Sequence, residues 1–206
     1  MGSRGQSGGG TKSSSGRKSK RGTIVKIDTT TGRDLAPAYL NYGESKGNSI
    51  PDVLKRFQDR YGDAKKEFGV SVDDQGYVHD HKEGATHSVA VPLRKGHTVI
   101  HNHPSGSNFS GQDLLVWANT DIKGIVATSS NQDIKGTFQI SKGAHFDKKG
   151  FLAALVKADW SKSGDNYNVG ADKWLKRNQK KFGYTYKSKG INQASKDQKY
   201  VGNTGF

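Results

Sequence analysis

Apolar residues are almost absent from the first 22 residues of this chain and are scattered among polar residues after about residue 187, which places any folded core in the middle. The first 22 residues consist almost entirely of Gly, Ser, Lys and Arg, and from about residue 187 onward Ser, Lys, Gln, Asn and Gly dominate again. Because hydrophobic residues make up only 31% of the chain, an ordinary core requires that they be concentrated in one region. The length of 206 residues leaves room for one ordinary domain with flexible tails, or for two very small domains.

The net charge of +14 is concentrated in the same two ends. Residues 1–22 hold six basic and no acidic side chains, and residues 173–206 hold nine basic side chains against Asp197 alone. Residues 23–172 are neutral, with 18 basic and 18 acidic side chains. Basic tails favour polyanionic partners such as DNA, with an affinity that falls steeply with salt. The alternative is that the charged tails only keep a neutral domain in solution.

Several classes of protein are excluded by what the sequence lacks. The chain has no Cys, so disulfides and thiolate metal sites are impossible, and any metal must be bound by His and carboxylate ligands. The first fifteen residues contain no apolar segment of the kind found in signal peptides, and no run approaches 18 apolar residues. We therefore expect a protein that is neither exported through the Sec pathway nor membrane-spanning.

The order of apolar patterns predicts a layered α/β or α+β domain, because strands are flanked and separated by helices. Ser49 as a cap, Pro51 in the first turn and an apolar residue at every third or fourth position predict the first helix. The predicted helices cover residues 50–62, 111–119, 147–160 and 171–182. The predicted strands cover residues 67–73, 77–82, 86–91, 97–102, 122–128 and 136–140.

The densest chemical signal is residues 101–106, His-Asn-His-Pro-Ser-Gly, followed by residues 110–113, Ser-Gly-Gln-Asp. On a strand, residues i and i+2 share a face, so His101 and His103 can bind one ion. Asp113 lies in the first turn of the next predicted helix, near enough to add a carboxylate oxygen. Three such ligands leave one position of a tetrahedral zinc ion open for water, as in catalytic sites. The alternative is two polar surface histidines and a Ser-x-x-Asp pair that only caps a helix.

The His-Asn-His-Pro-Ser-Gly run with its downstream Ser-x-x-Asp resembles the signature of the JAMM (MPN+) metalloproteases, which include deubiquitinating isopeptidases, prokaryotic relatives and RadC proteins. The resemblance covers roughly residues 64–140. It implies a three-layer α-β-α sandwich with a mixed sheet, one Zn²⁺ ion, and a peptide or isopeptide substrate. By this resemblance His101, His103 and Asp113 are the zinc ligands, and Ser110 stabilises the tetrahedral intermediate.

The same resemblance requires an upstream glutamate that accepts a proton from the attacking water. Glu67 is the candidate, because it begins a predicted strand on the face opposite the apolar residues and precedes a turn and hairpin. Glu83 is the rival, although its Lys-Glu-Gly setting is typical of a turn. The remaining alternative for Glu67 is a solvated charge at the end of a strand.

The other histidines carry weaker signals. His79 and His81 alternate on a predicted strand and could form a second metal-binding pair, but no helix bearing a carboxylate follows them at a useful spacing. His87, His97 and His145 are interpreted as surface or hydrogen-bonded polar residues. His97 shares a predicted strand face with His101 and could line the approach to the site.

A second resemblance concerns the setting of the domain. The run from Glu67 to the His-Asn-His-Pro-Ser-Gly motif looks like the JAMM-like domain appended to bacteriophage minor head proteins and to some polymorphic toxins, and residues 172–184 resemble the end of minor head proteins. An amphipathic basic helix is the plain alternative for residues 172–184. The resemblance implies a location in the virion or the bacterial host cytoplasm, with phage head or portal proteins as partners.

Two further functions follow from the charge and the metal-site composition. In the first, the domain is a scaffold without protease activity in a DNA-binding virion protein, structural or ejected with the DNA. The second is a nuclease, which is less favoured because one zinc with one carboxylate lacks the two-metal geometry common in phosphodiester cleavage.

These patterns together predict five segments. The predicted segments are a flexible basic arm (1–22), an N-terminal extension with one helix (23–63), a JAMM-like zinc domain (64–145), C-terminal helices (146–186) and a basic tail (187–206).

Overall fold

The computed structural model describes residues 49–130, 135–160 and 167–190. Over these ranges the chain forms an α+β domain with four helices and one six-stranded mixed sheet. The helices are α1 (Ile50–Tyr61), α2 (Gly111–Asn119), α3 (Lys148–Val156) and α4 (Tyr167–Phe182). The strands are β1 (Phe68–Val72), β2 (Val78–Glu83), β3 (Thr98–Asn102), β4 (Gly124–Ser130), β5 (Lys135–Lys142) and β6 (Tyr184–Lys189). The predicted arm, the part of the extension before residue 49 and the tail after residue 190 lie outside the described residues.

The sheet places β3, which carries the histidine motif, near its centre. The strand order is β2-β1-β3-β4-β5-β6. All neighbouring strands pair antiparallel except β3 and β4, which run parallel and are connected by α2. A parallel pair needs such a crossover connection, so β3, α2 and β4 form one β-α-β unit. In this unit the chain passes from the end of β3 through a loop into the first turn of α2.

Helices cover both faces of the sheet, and two separate apolar clusters lie between the layers. One cluster packs α1 against the inner strands, and the other packs α2, α3 and α4 against the opposite face. The predicted α/β sandwich with a mixed sheet is thereby confirmed at the level of layers and strand directions. Among the described residues, no helix combines the length and the apolar content needed to cross a bilayer.

The start of α1 follows its predicted capping chemistry. The Ser49 side chain accepts a hydrogen bond from the backbone N–H of Asp52, and the Asp52 carboxylate accepts one from the backbone N–H of Ser49. These bonds satisfy N–H groups that have no partner inside the helix. The face formed by Val53, Leu54, Phe57 and Tyr61 is buried against the sheet.

The predicted strand over residues 86–91 is wrong, because these residues form no strand. The alternation of Val89 and Val91 has another cause. A Cβ atom at Gly69 of β1 would lie 2.4 Å from Val91 Cγ2 and 3.2 Å from Val89 Cγ1, so both valines cover the sheet where glycine leaves room. The alternation therefore reflects packing over a face of the sheet and not pairing in a ladder.

The C-terminal elements also differ from the prediction. Helix α3 ends at Val156, before the predicted residue 160, and α4 begins at Tyr167, before the predicted residue 171. The predicted start of the tail at residue 187 falls within β6, a strand that was not predicted. Tyr184 and Tyr186 are buried in alternation with exposed residues, the period-2 pattern of a strand with one buried face.

Candidate metal centre

Three side chains predicted to bind metal lie together at the end of β3 and the start of α2. His101 is on β3, His103 is one residue beyond its end, and Asp113 is in the first turn of α2. Ser110 caps α2, because its side chain accepts a hydrogen bond from the backbone N–H of Asp113. Trp117 is fully buried one turn further along, which anchors the face of α2 that carries Asp113.

The ligand atoms are spaced as one metal ion requires. The Nε2 atoms of His101 and His103 are 2.9 Å apart, and the Asp113 carboxylate oxygens lie 3.7 Å from His101 Nε2 and 3.6 Å from His103 Nε2. Neighbouring ligands of a tetrahedral zinc ion are separated by about 3.3 Å, given bonds of about 2.0–2.1 Å. Among the described residues, this is the one group of at least three His, Cys, Asp or Glu side chains with ligand atoms close enough to hold a metal ion.

The tautomer of His103 suits metal binding. Its Nδ1 atom lies 2.9 Å from the backbone carbonyl oxygen of Ser107. A carbonyl oxygen only accepts hydrogen bonds, and the Ser107 hydroxyl oxygen, 3.2 Å from the same nitrogen, can accept as well. A proton on Nδ1 therefore satisfies both contacts and leaves the lone pair of Nε2 directed toward His101 and Asp113. Histidines that bind metals commonly donate from their second nitrogen in this way.

The charges of the three groups also suit a cation. The pKa of His101 is lowered to about 4, mainly by burial and also by the neighbouring His103, while Asp113 opposes the shift. Burial by itself would raise the pKa of Asp113, but the two imidazoles and the hydrogen bonds from Ser110 outweigh it and leave this pKa below its usual value. Near neutral pH the site therefore offers a neutral imidazole at His101 and a carboxylate at Asp113, which are forms that bind metals.

Glu67 lies on the same face of the sheet as the three ligands. In the antiparallel register Gly69 of β1 pairs with His101 of β3, so continuing by two residues sets Glu67 across from His103. The residue is 8% exposed, and its pKa is raised to about 7 by burial, with His103 lowering it and Asp113 raising it. A carboxyl group with this pKa can both accept and release a proton near neutrality.

Glu83 lies on the other face of the sheet. It pairs with Phe68, whose ring packs in the cluster beneath α1, and paired residues of neighbouring strands share a face. Its side chain is 47% exposed and forms an ion pair with Lys66 at 2.9 Å. The geometry therefore separates the two candidate bases, because only Glu67 is on the face that carries His101.

Asn102, between the two histidines, has a role that was not predicted from the sequence. Its Oδ1 atom accepts a hydrogen bond of 2.6 Å from the backbone N–H of Phe68, and its Nδ2 atom donates one of 2.9 Å to the carbonyl oxygen of Lys66. These two backbone groups flank Glu67, so Asn102 holds the glutamate's backbone beside the histidine motif. The Asn within the motif was a signal, but its partner is 34 residues away and was invisible in the sequence.

The remaining predicted residues divide between the site and other regions. Ser110 is exposed, and its hydroxyl donates a 2.8 Å hydrogen bond to Asp113 Oδ2; the capping arrangement and the proximity to the histidines therefore coexist. His79 bonds to Asp73 at 2.9 Å, and His81 packs against Tyr61 beneath α1, so these two do not form a pair.

The other three histidines lie outside the three-residue cluster. His97 Nδ1 lies 2.9 Å from the hydroxyl oxygen of buried Ser71, so this ring nitrogen forms a hydrogen bond within the domain. His87 and His145 are exposed, as the interpretation of them as surface residues requires.

Comparison of this chain with known proteins found no related protein. No protein-family model matches this chain, and no match was found among curated proteins or among solved structures. The resemblance to the JAMM metalloproteases therefore depends on the motif residues, and the chemistry proposed for the site depends on its geometry.

Proposed function

We propose that this chain is a zinc-dependent peptidase or isopeptidase of the JAMM type. The observation that carries the proposal is the convergence of His101, His103 and Asp113 with a buried glutamate on one face of the sheet. Two imidazole nitrogens and one carboxylate oxygen are a ligand set typical of catalytic zinc, because it leaves a position for water and substrate. A zinc ion bound there would lower the pKa of a water molecule toward 7 and polarise a carbonyl group.

Glu67 and Ser110 would have the proton-transfer and oxyanion-stabilising roles in this reaction. Glu67 accepts the proton of the attacking water and delivers it to the leaving amine, a role that suits a pKa of about 7. Ser110 is the proposed hydrogen-bond donor to the developing oxyanion, a role for which its single O–H turns from Asp113 Oδ2 to the substrate. Its hydroxyl is exposed beside Asp113. The Asp113 side chain is itself 25% exposed, so the site opens toward solvent on the side of α2.

Removal of the metal should abolish hydrolysis and leave the fold intact. The test incubates the full-length protein with a peptide library and with peptides joined through a lysine ε-amine, and detects cleavage by mass spectrometry. We expect cleavage by the zinc-loaded protein, no cleavage after chelation, and recovery on adding Zn²⁺, because the proposed reaction depends on the ion. Cleavage that persists in metal-free protein contradicts the proposal, as does a zinc-loaded protein that cleaves nothing.

A second candidate function, nucleic-acid binding, is favoured by one observation, and it would suit the bacteriophage virion protein that the sequence resemblance implies. Five basic side chains are exposed along α4 at a spacing that places them on one face of the helix. They are Lys173, Lys176, Arg177, Lys180 and Lys181. Much of the C-terminal positive charge therefore belongs to a folded helix, where it can follow a phosphate backbone over about 12 Å. The two functions are compatible, since a protein packaged with DNA can carry a protease.

Neutralising this helix face should weaken DNA binding. In the variant Lys173→Gln, Arg177→Gln, Lys180→Gln, we expect weaker binding to duplex DNA and a shallower salt dependence. The slope should be smaller by up to about 2.7, because each phosphate that is no longer neutralised reduces it by about 0.9. The matched control replaces three exposed lysines elsewhere in the domain, Lys65, Lys82 and Lys95. Equal affinities and slopes for the two triple variants would show that α4 is not the binding face.

A further inference from the structure

The loop between His103 and Ser110 is held from outside by the first residues of α4. The Tyr167 hydroxyl donates a hydrogen bond of 2.6 Å to the carbonyl oxygen of Phe109. The Oδ1 atom of Asn168 accepts one of 2.7 Å from the backbone N–H of Asn108, and its Nδ2 atom donates a longer one of 3.4 Å to the carbonyl oxygen of Gly106. Helix α4 therefore contacts the segment that joins the two halves of the candidate metal centre.

One of these contacts leads directly to a metal ligand. The carbonyl group of Ser107 and the N–H group of Asn108 belong to the same peptide unit, which is planar. The carbonyl oxygen accepts the hydrogen bond from His103 Nδ1 at 2.9 Å. The N–H bond, which points in the opposite direction within the same plane, donates to Asn168. The orientation of this single plane therefore determines both hydrogen bonds.

We propose that Asn168 is a positioning residue for the metal centre, acting on His103 through the Ser107–Asn108 peptide. The proposal rests on the proposed function, since it concerns a ligand of the metal. By accepting from the Asn108 N–H, Asn168 keeps the Ser107 carbonyl directed at His103 Nδ1 and polarises it, because hydrogen bonds in a chain strengthen one another. This keeps the proton on Nδ1 and the lone pair of Nε2 directed at the ion.

The neighbouring contacts provide a matched control. Tyr167 anchors the same loop further along, at the carbonyl oxygen of Phe109. If α4 only immobilises the loop, Tyr167→Phe and Asn168→Ala should be equally harmful. If the peptide transmits the effect, Asn168→Ala should be the harmful change. Asn168→Asp should be much less harmful, because it retains the acceptor for the Asn108 N–H and loses only the longer hydrogen bond to the Gly106 carbonyl oxygen.

The test measures Zn²⁺ affinity of the full-length wild type and the three variants by competition with a chromophoric chelator. We expect Asn168→Ala to bind zinc about tenfold more weakly, at the lower end of the ~10–100-fold found for groups that orient metal ligands. The Co²⁺-loaded variant should also show altered visible absorption bands, which report ligand geometry. Tyr167→Phe should remain close to wild type in both measurements, and Asn168→Asp should be closer to wild type than Asn168→Ala is. Thermal unfolding of the metal-free proteins checks that the fold is retained, and Asn168→Leu replaces the alanine variant if that one unfolds.

Two results would overturn the inference: unchanged zinc affinity and Co²⁺ spectrum in Asn168→Ala, or an equal loss in Tyr167→Phe. A wild type that binds no metal refutes the proposed function instead. In that case nitrogen NMR of the His103 imidazole in metal-free protein decides the inference by itself. The Nδ1–H tautomer should dominate in wild type and lose population in Asn168→Ala, and equal populations would refute the role of Asn168.

Discussion

Glu67→Gln should abolish peptide hydrolysis while the protein keeps its fold and its metal. The amide of glutamine cannot accept a proton from water, and loss of a general acid–base group typically costs ~10²–10⁴ in rate. Glu67 is buried across from His103 and is not one of the three grouped ligands, so metal content should not change. The measurements are the rate of peptide cleavage and the zinc content of the same sample.

Glu83→Gln is the matched control, since it removes a carboxylate from the opposite face of the sheet. We expect its rate to equal that of wild type, although it loses an exposed ion pair to Lys66, which contributes little to stability. The reverse pattern, an inactive Glu83→Gln protein and an unaffected Glu67→Gln protein, contradicts the assignment of the base. If wild type cleaves nothing, the scaffold function in a DNA-binding protein is favoured instead.

The variant Glu67→Gln should also change how the stability of the metal-free protein depends on pH, and this can be measured without any catalytic activity. The pKa of Glu67 is about 7 in the folded chain, against an ordinary value of 4.5. Between about pH 4.5 and 7 the folded metal-free protein therefore holds a proton that the unfolded chain has lost, and the free energy of unfolding decreases as the pH rises through this range. Glu67→Gln lacks this titration, so its urea unfolding should depend less on pH there. If the free energy of unfolding depends on pH in the same way for metal-free wild type and metal-free Glu67→Gln, the pKa of Glu67 is not raised in the folded chain.

Local chemistry made several elements predictable from the sequence. The capping residues and apolar spacing of α1 act within one or two turns, and the predicted helix over residues 50–62 agrees closely with Ile50–Tyr61. The His-x-His spacing and the first-turn position of Asp113 likewise depend on the periods of a strand and a helix. These short-range rules bring His101, His103 and Asp113 within reach of one another.

Features that depend on distant partners were not predictable. The valines of residues 86–91 alternate as in a strand but cover Gly69. The lysines at the end of β6 suggested the start of a basic tail, but Tyr184 and Tyr186 on the opposite face of this strand are buried in the core. The support of the site from Asn168 crosses 60 residues of sequence to Asn108. Strand alternation in the sequence favoured Glu67 over Glu83, but its position across from His103 depends on the strand register, which no single-sequence pattern specifies.

The metal content of the purified protein tests the central claim most directly. Full-length wild type, purified without chelators, should contain about one zinc ion per chain by elemental analysis, because the proposed site is a single three-ligand centre. His103→Ala should lose it, since two remaining ligands do not make such a site, whereas His145→Ala, which removes an exposed histidine, should retain it. The account is contradicted if wild type binds no transition metal even after incubation with Zn²⁺, or if His103→Ala contains as much zinc as wild type.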